Sequence, residues 1–185
     1  MRHLIVAAAL LMPLSASAQL VTQAPSGSGA GGAVVIATAG PVTLTGIVTE
    51  TNFAALKIPA NTIGKNGLIE VRMLWAFTNS ANSKTFVVRF ASAAGFTGLN
   101  MVANTAQTTA ATAQGLAIFG NNNATNAQVS FNTNMFAPYG TSASASFTNN
   151  IDTTADSYVN IDGSIAGAGE TLTLQHAAVV VFSSP

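Results

Sequence analysis

Ten residues set the fold class. In "LIEVRMLWAF" (68–77) every second side chain is large and apolar: Ile69, Val71, Met73, Trp75 and Phe77. Glu70 and Arg72 begin the opposite face. A repeat of two is that of an extended strand, whose side chains alternate across the pleat; a helix repeats at about 3.6. The spacing predicts a strand with one face in a core. "KTFVVRFA" (84–91) repeats it, with Phe86, Val88 and Phe90 on one side and Thr85 and Arg89 on the other. Between the two runs, "TNSANSK" is rich in turn formers, which predicts that the two strands pair as neighbours.

The same period continues. "AQVSFNTNMF" places Val129, Phe131 and Met135 together, and "SYVNIDGSI" places Val159 and Ile161 together, with Asp162-Gly163 read as a turn. In "ETLTLQHAAVVVFSSP", Leu172 and Leu174 alternate with Thr171 and Thr173, but residues 177–182 are apolar on both faces. Val179 and Val181 share one face, Ala178 and Val180 the other. A strand apolar on both sides implies contact with a second layer or a second subunit. "TAQTTAATAQGLA" (105–117) has the alanine content of a short helix, but its four threonines argue for a loop. Eight to ten short strands with frequent turn signals predict an all-β, antiparallel β-sandwich, jelly-roll-like, over residues 34–185.

The N-terminus differs. A positive end, Met1-Arg2-His3, precedes an apolar run at residues 4–14, and Ala16-Ser17-Ala18 offers the small residues of a cleavage site ahead of Gln19. As a helix that run rises about 16 Å, short of a bilayer core of about 30 Å, so it is not expected to anchor by spanning. Residues 1–18 therefore read as a signal peptide or as an uncleaved apolar arm. Residues 19–33, ending in "APSGSGAGGA" (24–33), read as a Gly/Ser-rich linker.

Composition narrows the function classes. The 185 residues contain no cysteine, which excludes disulfides and thiol chemistry. Six Lys+Arg and six Asp+Glu leave no basic stripe, so no nucleic-acid partner is expected. Hydrophobic residues make up 49% of the chain, which is contrary to a disordered composition. Of two histidines, His3 lies in the leader-like segment, and His176 lacks a second histidine at ligand spacing. His176 reads as a structural or interface residue, and no Gly-x-Ser-x-Gly elbow accompanies it. Asp152 and Asp156, with Asn149 and Asn150 before them, match no calcium-loop spacing and read as turn formers. Glu50, Glu70 and Glu170 are scattered, so no glycosidase pair is assigned. "GSGAGG" lacks the Lys-Ser/Thr of a phosphate loop. Trp75 falls on the buried face, while Tyr139, in "APYGT", is a loop aromatic that could contact a sugar. No catalytic, cofactor-binding or metal-ligating residue is assigned, and no cofactor is expected.

Two segments resemble bacteriophage virion proteins of the tail-fibre, head-fibre and spike type. The first is "FAALKIPANTIGKNGLIEVRMLWAFTNSANSKTFVVRF". Its matching residues are Ile58-Pro59-Ala60, Ile63-Gly64, Asn66-Gly67, Trp75, and Thr78 to Lys84. The second is "IDTTADSYVNIDGSIAGAGETLTLQHAAVVVF", with its "DTTA" start, Gly-rich turn and closing apolar strand. The resemblance covers roughly residues 50 to 183. It implies a jelly-roll-like sandwich, often trimeric, that decorates the particle or contacts a glycan or protein of the host surface. It carries no catalytic residues onto this chain. A virion protein assembled in the cytoplasm needs no signal peptide, so residues 1–18 are expected to be an uncleaved arm that docks on other virion proteins. The alternative is an exported surface or periplasmic binding protein built on the same sandwich.

Overall fold

A computed structural model describes residues 32–95, 99–106, 109–130 and 146–184. Eleven strands run in chain order: β1 Ala33–Ala39, β2 Val42–Thr45, β3 Thr51–Ile58, β4 Leu68–Phe77, β5 Lys84–Ala91, β6 Leu99–Ala106, β7 Thr112–Asn121, β8 Gln128–Ser130, β9 Phe147–Asn149, β10 Ser157–Ile165 and β11 Thr171–Phe182. The leader-like segment 1–18, most of the linker, Phe131, Met135 and Tyr139 lie outside the described residues.

Two antiparallel sheets form a sandwich. One has seven strands, in the order β1-β11-β4-β7-β8-β9, with β2 also on β11; the other has four, β3-β10-β5-β6. β1 and β2 lie end to end along one edge of β11: β2 meets residues 171–174, and β1 meets residues 177–182. Without the short β2, β8 and β9, eight strands remain. The first, eighth, third and sixth make one sheet, and the second, seventh, fourth and fifth the other. That is the pairing order of a jelly roll.

Strands β1, β3, β4, β5, β7, β10 and β11 contribute buried apolar side chains to one core. Ile69, Val71, Met73, Trp75 and Phe77 of β4 face Phe86, Val88 and Phe90 of β5, all buried. Trp75 meets Phe53 edge-on at 5.0 Å between ring centroids and Phe86 at 4.7 Å. Each such buried side chain contributes roughly 1.5–3 kcal/mol. In β11 a bulge between Leu174 and His176 shifts the alternation by one residue. Leu172 and Leu174 point inward before it, and Ala177, Val179 and Val181 after it. Ala178 and Val180 therefore turn to the outer face.

Four sequence expectations fail for identifiable reasons. β4 and β5 are not neighbours but face each other across the core, and "TNSANSK" crosses from sheet to sheet. Apolar alternation shows which face is buried, not whether the next strand lies beside or opposite. Asp162-Gly163 is not a turn but lies inside β10, at a bulge against β3. Residues 112–117 are not loop but the first part of β7. In β8, Gln128 and Ser130 point inward rather than Val129. Gln128 is tolerated there because its amide donates to Asn121 Oδ1 (2.6 Å) and accepts from the Ile151 N–H (2.9 Å). A buried amide with both ends bonded avoids the desolvation cost of an unpaired one.

Candidate functional site

The residues behind the phage-like resemblance hold the crossings of the fold. Gly64 has φ +76°, and a Cβ there would lie 1.9 Å from the Ser184 carbonyl oxygen. A Cβ on Gly67 would lie 1.9 Å from the carbonyl oxygen of Ile63, itself buried. Between them, the Asn66 N–H donates to Ser184 Oγ (2.8 Å), and Asn66 Oδ1 accepts from the Asn123 N–H (2.9 Å). The turn before β4 thus clasps the end of the described chain and the β7–β8 turn.

"TNSANSK" does the same at another crossing. Lys84 has no exposed surface; its Nζ donates to the Ser80 carbonyl (3.0 Å) and Oγ (3.2 Å). Asn82 Nδ2 donates to Glu170 Oε1 (2.8 Å). Thr78 exchanges hydrogen bonds with Thr171, tying the loop to the start of β11.

The densest charged group lies on the outer face of the smaller sheet. Arg89 of β5 donates to both Glu50 and Asp162, and Asn52 Nδ2 donates to Asp162 Oδ1 (2.7 Å). Asp162 is fully buried and Glu50 about one-third exposed. Burial pushes the Asp162 carboxyl above the ordinary aspartate range, against the pull of Asn52 and Arg89. Burial pulls Arg89 down, and its two carboxylates more than restore it. Beside them, Asn160 donates to the Ala93 carbonyl (3.1 Å) and accepts from the Gly95 N–H (3.0 Å), so the loop after β5 lies over this face. The geometry clamps β3, β5 and β10 together around the bulge. Sequence reasoning missed it because Asp162 read as a turn residue; the two carboxylates are 112 positions apart and meet only through the sheet.

The other singled-out residues are dispersed. Asp152 Oδ1 accepts from Thr154 N–H and Oγ1, the turn role expected of it. Asp156 pairs with Lys57 (2.5 Å) and accepts from the Ala60 N–H (3.1 Å). Trp75 is buried in the core, away from any sugar. His176 is exposed on the outer face of the larger sheet, opposite Leu74.

That outer face has its own character. Among the described residues, five large apolar side chains are exposed, and four of them lie on it: Val35, Leu68, Leu74 and Ile118. Facing the same way, Arg72 donates to Glu70 Oε2 from Nη2 (2.7 Å) and Nε (3.1 Å). With His176, this pair makes up the ionisable groups of the face among the described residues. The face thus mixes four exposed large apolar side chains with exposed Gln114, Gln175 and His176 and one internal ion pair, more apolar surface than scattered single residues give.

Comparison with protein-family models, with curated proteins and with solved structures finds no match to this chain.

Proposed function

We propose that this chain is a non-enzymatic structural module of a bacteriophage particle: a fibre, spike or head decoration that works as a homo-oligomer. The observation that carries the reading is where the resemblance residues sit. Gly64, Asn66, Gly67 and the Thr78–Lys84 turn hold the jelly roll's crossings, as motifs that mark a fold should. Two features support it. The jelly roll is an architecture that viral coat proteins share with lectins and cupins. The Arg89–Glu50–Asp162 group is engaged in holding strands, so its carboxylates serve the fold rather than acid–base chemistry. On this reading residues 1–18 dock on other virion proteins, the particle is the place of work, and the exposed surface meets a host glycan or protein. A trimer is what the resemblance implies.

A second reading, an exported surface or periplasmic protein, is favoured by the tripartite pattern of residues 1–18. One experiment separates the two. Mass spectrometry of the natural protein, with sedimentation of particles, is expected to give an N-terminus at Met1 or Arg2 in the particle fraction. Gln19 as first residue, in particle-free periplasm or medium, overturns the phage reading. Turnover of peptides, esters or glycans that is lost in a folded His176→Ala variant overturns the non-enzymatic part.

A further inference from the structure

We propose that the outer face of the seven-stranded sheet is a two-fold docking surface for a second copy of this chain. The inference rests on the homo-oligomer part of the reading above, not on the phage assignment, and it puts a two-fold pair in place of the trimer that the resemblance implies. It starts from β4, the strand between β11 and β7. Its outward residues run Leu68, Glu70, Arg72, Leu74: apolar, acid, base, apolar. The order is palindromic in character about Val71. A two-fold axis across the strands at Val71 lays β4 antiparallel on its copy, to within the offset that sheet twist imposes. Each Glu70 then meets the other copy's Arg72, and each Leu68 meets the other's Leu74.

The neighbouring strands obey the same operation. Val180 and Ala178 of β11 stand beside Glu70 and Arg72, and Ile118 and Leu116 of β7 stand on their other side. The axis exchanges Val180, which is buried, with Ala178 and Ile118 with Leu116, so apolar meets apolar beside the charged pair; in the outer rows it sets His176 on Phe182 and Gln114 on Gly120. The alternative axis, parallel to the strands, sets Glu70 on Glu70 and Arg72 on Arg72. Like charges at close quarters disfavour it.

Exposure agrees. Leu74 is 51% and Ile118 37% exposed in the single chain, more than scattered surface leucines require because they share one face with Val35 and Leu68. The Arg72 side chain is 63% exposed and that of Glu70 17%, so the arginine end of the pair has room to turn from its own strand to a second copy. A partner of other composition would have to supply an apolar side chain on each side of an ordered acid and base; a second copy turned over supplies them as Leu68 and Leu74.

The test is light scattering of the full chain after size exclusion, across the micromolar range. The expected mass is that of two chains or an even multiple. Leu74→Lys and Ile118→Lys, both at exposed positions, are expected to weaken association roughly tenfold or more with an unchanged circular dichroism spectrum. Glu70→Arg and Arg72→Glu are each expected to abolish self-association, because each places like charges across the axis. Mixing these two variants restores it, as a heterodimer with opposite charges on both sides. A monomer at the highest concentration, a trimer, or failure of the mixture to associate overturns the proposal. So does a monomer in which Ile118→Cys resists maleimide, since residues 1–31 would then be the cover.

Discussion

Lys84 donates a 3.0 Å hydrogen bond from Nζ to the carbonyl of Ser80, four residues earlier, with none of its surface in water. Its Nζ also lies 5.4 Å from the centre of the Phe77 ring, the last core residue of β4. The lysine thus closes the crossing from one sheet to the other. Truncation by Lys84→Ala leaves a cavity and an unpaired carbonyl, an expected loss of about 3 kcal/mol or more. Lys84→Met keeps the stem and loses the hydrogen bonds, an expected loss of about 1 kcal/mol. Urea unfolding ranks the two; equal losses would mean that the stem contributes nothing.

Gly64 and Gly67 are predicted to reject even a methyl group. In both cases the added Cβ lies 1.9 Å from a backbone carbonyl oxygen, and Gly64 also sits at φ +76°. Backbone must move, so Gly64→Ala or Gly67→Ala is expected to cost about 3 kcal/mol or more. Gly95 is the control: φ is +99°, but no atom of the described residues lies within 4 Å of its Cβ position. Gly95→Ala is expected to cost about 1 kcal/mol. Thermal melts of the three variants check the order.

The strands and the core were legible because burial writes itself as a period of two. Ile69 to Phe77, Phe86 to Phe90, Val159 and Ile161 are all buried as their alternation requires. The period fails where a bulge adds a residue, at Gln175 in β11 and at Phe53 in β3, since one added residue inverts the faces beyond it. It also fails where polar residues fill the interior in bonded pairs. Buried Gln128 and Asn121 carry no sequence signal, because only the tertiary structure supplies their partners. The Arg89 clamp was hidden for the same reason. The apolar outer face was half visible: residues 177–182 announced two apolar sides, but Leu68, Leu74 and Ile118 gained meaning only from strand order.

Acid is predicted to weaken the turn before β10. Hydrogen bonding to Lys57 and to the Ala60 N–H holds Asp156 below the ordinary aspartate range. A lowered folded pKa stabilises above the unfolded value and is lost as pH falls through the folded one. Stability is therefore expected to drop below about pH 4, and Asp156→Asn should show a flatter acid limb in pH-dependent thermal melts. An unchanged limb would place the acid sensitivity elsewhere.

Arg89 and Asp162 give the opposite sign. Arg89→Met removes the cation that touches the buried Asp162 carboxylate and leaves only Asn52 to oppose burial. The expected loss at neutral pH is about 3–5 kcal/mol, as for other buried charges stripped of a partner. Without arginine the Asp162 carboxyl rises further, so the folded variant holds a proton that the unfolded chain releases. Such a group stabilises below the unfolded pKa, and its contribution is lost as pH rises through the folded one. The deficit of Arg89→Met against the natural chain should thus be small in acid and grow toward neutrality. Adding Asp162→Asn removes the charge, which should recover much of the loss and abolish its pH dependence. Chemical unfolding of the single and double variants at several pH values decides it. A deficit that stays constant with pH would mean that Arg89 acts through packing and its contact with Glu50, and not by neutralising Asp162.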